Sequence, residues 1–115
     1  MTNFRGWAAP GKSADLERLD FDPGTMGGEE VEIAVEYCGI CHSDLAMVDS
    51  EWFPTQYPVV PGHEVVGTIV AVGPQVKGRA IGQRVGLGWH SNSCQHCQFC
   101  QGGEQNLCAT RQPTI

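Results

Sequence analysis

The sequence predicts a mainly β fold with short helices: a partly open β-barrel with a separate lobe near its C-terminal end. Three observations lead there. Val31, Ile33, Val35 and Tyr37 alternate with Glu32, Ala34 and Glu36, the period of two expected of a half-buried strand. Val65 to Val72 is rich in β-branched residues, which suit a pleated, packed surface. Finally, 15 glycines and 7 prolines in 115 residues interrupt the chain too often for long helices. A chain of this length fits one domain with one modest core.

Taken in order, Phe4 to Ala8 reads as the first strand, and Asp22-Pro23-Gly24 with Gly27-Gly28 as the turn that follows. Val31 to Tyr37 is the next strand, with Glu29, Glu30, Glu32 and Glu36 as its wet acidic face. It runs into Cys38-Gly39-Ile40-Cys41-His42-Ser43-Asp44, where Ser43 is placed to cap a short helix over Asp44 to Val48. Pro54, Pro58 and Pro61 mark a loop, and Val65 to Val72 is the second long strand, with Gly67 expected at a bulge. Gly82-Gln83-Arg84 leads into a short strand, Val85 to Trp89. No Gly-x-Gly-x-x-Gly and no βαβ pattern occurs, so the chain holds no dinucleotide fold of its own.

Cys94, Cys97, Cys100 and Cys108 are spaced C-x2-C-x2-C-x7-C. Four thiolates around a d¹⁰ ion fill the tetrahedral shell of zinc and leave no open position, which marks a structural site. His96 lies inside the motif, but four sulfurs suffice, so it is read as a solvated loop histidine. A disulfide framework would require a secreted context, and Met1 to Gly6 lacks the charged-then-apolar pattern of an export signal. The net charge is −6, and about −8 with four thiolates on one Zn²⁺, which argues against a nucleic-acid partner. No apolar run approaches the ~20 residues of a membrane helix.

Cys41 and the Gly62-His63-Glu64 triplet form a second constellation. Cysteine and histidine are zinc ligands, and Gly62 permits close backbone approach. Glu64 offers a carboxylate able to bind or leave a metal. Asp44 is placed to orient the His63 ring through its far nitrogen. Cys38 and Cys41 also spell C-x-x-C, a thiol–disulfide motif, but the thioredoxin-like context is missing and Cys38 is read as a small buried apolar residue.

The ordered set Tyr37 to Asp44, Pro61 to Gly67, Gly82 to Val85 and the four-cysteine lobe resembles the N-terminal part of zinc-dependent medium-chain alcohol dehydrogenases. It is most similar to the cinnamyl-alcohol-dehydrogenase-like branch and its NADPH-dependent aldehyde reductases, helped by Val85 to Trp89 and Gln112 to Ile115. The resemblance implies a GroES-like catalytic domain over residues 1–115, with the nucleotide-binding domain and a third catalytic cysteine beyond it. The chain is therefore expected to be a fragment or a truncated product, inactive alone.

The resemblance also implies roles. Cys41 and His63 match catalytic zinc ligands, and Glu64 the glutamate that enters the zinc shell. Ser43 matches the hydroxyl of a proton relay, Asp44 the partner of the zinc-bound histidine, and His42 a position facing the cofactor pyrophosphate. Trp89, with Trp52 near it, matches a wall of the substrate pocket. The implied cofactors are one structural and one catalytic zinc and NADP(H), the substrates small aldehydes and alcohols. The implied setting is cytoplasmic, with a homo-oligomer open for the full-length protein. The competing readings are a stand-alone zinc-binding module without catalysis and a thiol redox protein built on Cys38 and Cys41.

Overall fold

A computed structural model describes residues 3–115. Three small antiparallel sheets carry the chain. β1 (Phe4–Ala8) pairs with β2 (Glu17–Phe21). β3 (Val31–Cys38), β4 (Val65–Val72) and β5 (Arg84–Leu87) form the central sheet in that order. β6 (His90–Asn92) pairs with β7 (Gln112–Pro113). Helices are short: α1 (His42–Val48), α2 (Gln98–Gln101) and a 3-10 turn at Gln105–Leu107. The expected mainly β architecture with open sheets is what the chain adopts. Among the described residues, no helix is long and apolar enough to cross a membrane.

The central sheet departs from the sequence reading in three ways. β3 forms where expected, but its burial does not alternate: Val35 and Tyr37 are 60% and 70% exposed. β3 is an edge strand, and its apolar face is packed only at Val31 and Ile33. The expected bulge at Gly67 is displaced: Glu36 is the extra residue on β3, and Val70 the extra one on β4. Gly67 is instead a close-approach position, where any Cβ would run into the Ala34 carbonyl and the Ile33 side chain. The third strand also ends at Leu87, before Trp89, because the backbone beyond pairs elsewhere: Thr114 N–H donates to the Trp89 carbonyl at 2.8 Å. The pairings of β2, β6 and β7 went unread, since Glu17-Arg18-Leu19-Asp20-Phe21 and Gln112-Pro113 have no run of β-formers.

α1 is anchored from behind by a small core of Ala9, Val48 and Val59, against which Tyr57 and Ile115 pack. Ala9 and Val59 exchange backbone hydrogen bonds at 2.8 and 3.0 Å. Its last turn is tied by side chains: Thr55 Oγ1 donates to the Met47 carbonyl and the Tyr57 hydroxyl to that of Val48, both at 2.6 Å. A seven-residue helix is too short to persist on propensity alone, so this packing holds it in place.

Ile69 on β4 is the largest apolar side chain that is fully buried. Ile69→Ala should lower stability by about 2–5 kcal/mol through lost burial and a residual cavity. A urea titration checks this: the midpoint should fall with an unchanged slope.

Candidate functional site

Asp44, in the first turn of α1, joins two segments that are far apart in sequence. Its Oδ2 accepts the N–H of Cys41 at 3.1 Å. Its Oδ1 accepts the N–H of Gly62 at 2.8 Å and faces His63 Nδ1 at 3.1 Å. Cys41, not Ser43, is the N-cap, so the helix begins one residue before Ser43. A capping box sets this start: the Cys41 side chain faces the Asp44 amide, and the Asp44 carboxylate reaches back to accept the Cys41 amide. A carboxylate only accepts, so Nδ1 of His63 carries the proton and Nε2 presents its lone pair. His63 is 7% exposed, the buried polar residue of the described chain.

One donor atom each from Cys41, His63 and Glu64 lies within 4.8 Å of the others. Sulfur, nitrogen and oxygen donors in one small triangle suit zinc with an exchangeable fourth position. Glycine is required next to it: Gly62 has φ +119, and a Cβ there would stand 2.8 Å from Cys38 Sγ. Ser43 Oγ is 3.4 Å from Cys41 Sγ. His42 opens the helix and is exposed. Trp89 stands edge-on to His63 with ring centroids 4.7 Å apart, and Trp52 meets Trp89 edge-on at 6.2 Å. Thr114 fixes Trp89 from the far end of the chain, its hydroxyl donating to the Gly88 carbonyl at 2.6 Å. No local signal in Gln112-Pro113-Thr114 points to that support.

Cys38 is exposed, contrary to the buried position expected of it, because it ends the edge strand β3. It stands outside the donor triangle that contains Cys41. A cleft of about 710 Å³ is lined in part by Phe4, Met26, Ile33, Val35 and Leu87, and none of Cys41, His63 and Glu64 borders it.

The four sulfurs of Cys94, Cys97, Cys100 and Cys108 also lie within 4.8 Å of one another. Cys94 Sγ and Cys100 Sγ are 3.9 Å apart, against the ~3.8 Å edge of a tetrahedron with Zn–S bonds of ~2.3 Å. Backbone N–H groups point at the sulfurs: Cys97 to Cys94 at 3.3 Å, Cys100 to Cys97 at 3.4 Å and Cys94 to Cys108 at 3.4 Å. Such donors favour thiolates. The Cys94 amide, with the Thr110 hydroxyl, holds the Cys108 thiol down at about 6. The Cys100 amide also pulls on Cys97, but desolvation and the neighbouring sulfurs of Cys100 and Cys94 outweigh it and push Cys97 up to about 11. His96 is exposed and turned away, with Nδ1 2.9 Å from the Cys94 carbonyl.

An open β fold carrying two such donor clusters is an architecture suited to holding metal ions. The chain belongs to the alcohol dehydrogenase GroES-like domain family, whose model matches residues 27–114. It is 50% identical over 112 residues to aldehyde reductase AdhA of Synechocystis sp., covering 97% of this chain and 33% of that protein. It is 44% identical to cinnamyl alcohol dehydrogenase 2 of Rauvolfia serpentina, over 90% of this chain and 29% of that protein. Among solved structures it is similar to CAD from Helicobacter pylori complexed with NADP(H). The TM-score there is 0.91 at 36% identity, covering 99% of this chain and 33% of that one. The chain thus spans about a third of the length of the curated relatives it matches.

Asp44→Asn keeps one acceptor oxygen and puts an N–H₂ where the other accepted. It should cost about 1–3 kcal/mol of stability, the penalty of unpairing a partly buried group, while Ser43→Ala should cost less than half of that. Thermal unfolding of the two variants checks the order. In the metal-free, reduced chain, thiolate absorption in the ultraviolet should include one step with a midpoint near 6, absent from Cys108→Ser. The sign follows from a folded-state value below the ordinary 9.0: stability from this thiolate is fully present above 9 and is lost as pH falls through about 6.

Proposed function

We propose that this chain is the zinc-binding catalytic domain of an NADP(H)-dependent alcohol dehydrogenase that interconverts primary alcohols and aldehydes. The observation that carries the reading is the Cys41–His63–Glu64 donor triangle braced by Asp44. Cys94, Cys97, Cys100 and Cys108 hold a structural zinc. Cys41 and His63 hold the catalytic one, with Glu64 as the exchangeable donor. A zinc ion held there supplies a Lewis acid for a substrate oxygen, and a nicotinamide supplies or accepts the hydride.

The remaining work falls to the chain. Asp44 keeps the proton on Nδ1 of His63, so Nε2 stays a ligand rather than a competing acid. Ser43 Oγ, beside Cys41 Sγ, passes the proton between the substrate oxygen and solvent. His42, exposed at the head of α1, faces the cofactor pyrophosphate. Trp89 and Trp52 wall the substrate pocket and limit the approach of water from that side. The nicotinamide is held by a second domain outside these 115 residues, and a third firm zinc ligand also lies outside them. The setting of the complete enzyme is the cytoplasm.

Holding reactants together contributes up to ~7–11 kcal/mol in favourable systems, and residues 1–115 alone have no second surface to hold the cofactor. With NADPH and an aromatic or aliphatic aldehyde, they should show no turnover above buffer. Joined at residue 115 to the remaining two thirds of the Synechocystis aldehyde reductase, they should turn over. In that chimera His63→Ala should abolish activity, and Ser43→Ala should lower turnover with zinc content unchanged. Turnover by residues 1–115 alone, or an active His63→Ala chimera, would refute the reading.

A further inference from the structure

Gly39 lies between β3 and α1, and its N–H donates to the Glu64 carbonyl at 2.9 Å. That bond lays the backbone of residue 39 flat against Glu64. A Cβ at Gly39 would stand 3.1 Å from Glu64 Cβ and 3.3 Å from its Cδ, and would overlap Oε2. The backbone itself does not call for glycine here, because Gly39 is not among the positive-φ residues, unlike Gly62. What the position requires is empty volume. That volume is where the Glu64 carboxylate rests, and from there one of its oxygens lies within 4.8 Å of the Cys41 and His63 donors. Glu64 is exposed, so burial does not hold it there.

We infer that Gly39 is a positioning residue for the metal site: by lacking a side chain it lets the Glu64 carboxylate lie within reach of an ion on Cys41 and His63. This rests on reading those two residues as zinc ligands. A methyl group at position 39 turns the flexible carboxylate away first, because Oε2 is its free end. Glu64 Cβ, fixed to the backbone, yields only by a few tenths of an ångström. Action through the Glu64 carboxylate and action through the fold are separated by combining the two substitutions.

The test is a double-mutant cycle in the chimera with the Synechocystis aldehyde reductase, which completes the ligand set and serves unmutated as the wild type, read as zinc affinity by competition with a chromophoric chelator. The zinc lost in His63→Ala identifies the site. Gly39→Ala and Glu64→Ala should each weaken that zinc by about 10-fold, the scale of a lost supporting group. Together they should weaken it no more than either alone. Wild-type affinity in Gly39→Ala overturns the inference. So does a further loss when Gly39→Ala is added to Glu64→Ala, because the glycine would then be acting on the fold. If the wild type holds no zinc that His63→Ala loses, the ligand reading itself fails and this inference falls with it.

Discussion

One carboxylate organises the region around α1. Asp44 takes hydrogen bonds from the Cys41 and Gly62 amides and from the His63 ring, which join the start of a helix to a loop after three prolines. Both Asp44 and His63 are nearly removed from solvent, with side chains 13% and 8% exposed. A carboxylate so placed is tolerable only when its lone pairs are filled, and hydrogen bonds to a charged acceptor are worth about 1.5–3 kcal/mol each. The arrangement is all-or-none. Release either segment and a buried carboxylate faces an unpaired amide. The donor triangle of Cys41, His63 and Glu64 therefore inherits its shape from a group that is not itself one of the three.

The two donor clusters solve different problems. The four-cysteine lobe is local: a short stretch turns back so that the Cys97 and Cys100 amides each address the sulfur three residues before, and the Cys94 amide that of Cys108. Its geometry follows from spacing, which is why the sequence alone revealed it. The second cluster is non-local. Cys41 and His63 meet because α1 is pinned by Ala9, Val59 and Ile115 and because β3 and β4 pair in register from Cys38↔Val65. Spacing carries no trace of that pairing. Only the family resemblance, together with the residue types, pointed to it.

The same distinction explains which readings of the chain held and which did not. β1, β3 and β4 were legible because alternation and β-branching are local signals. The exposure of Val35 and Tyr37 was not, since burial depends on what covers a face and β3 is an edge. Ser43 looked like a cap because its hydroxyl suits one. The helix starts earlier than that, at a Cys41 N-cap whose amide the Asp44 carboxylate accepts, and the Ser43 hydroxyl lies beside Cys41 Sγ. Cys38 looked buried as a small apolar thiol, but the end of an edge strand offers no partner surface.

A glycine can be demanded by backbone or by space, and the two around this site separate those causes. Gly62 needs both: its φ is +119, and Cys38 Sγ occupies the volume a Cβ would take. Gly39 needs space alone. The sequence suggested close approach at Gly62, but it showed neither the positive φ there nor any reason for Gly39. Structure distinguishes them by what stands opposite: a thiol beside the loop before His63, and a carboxylate beside the turn before Cys41. Each glycine thereby lets the two donor-bearing segments approach closely: Gly62 leaves room for Cys38 Sγ, and Gly39 for the Glu64 carboxylate.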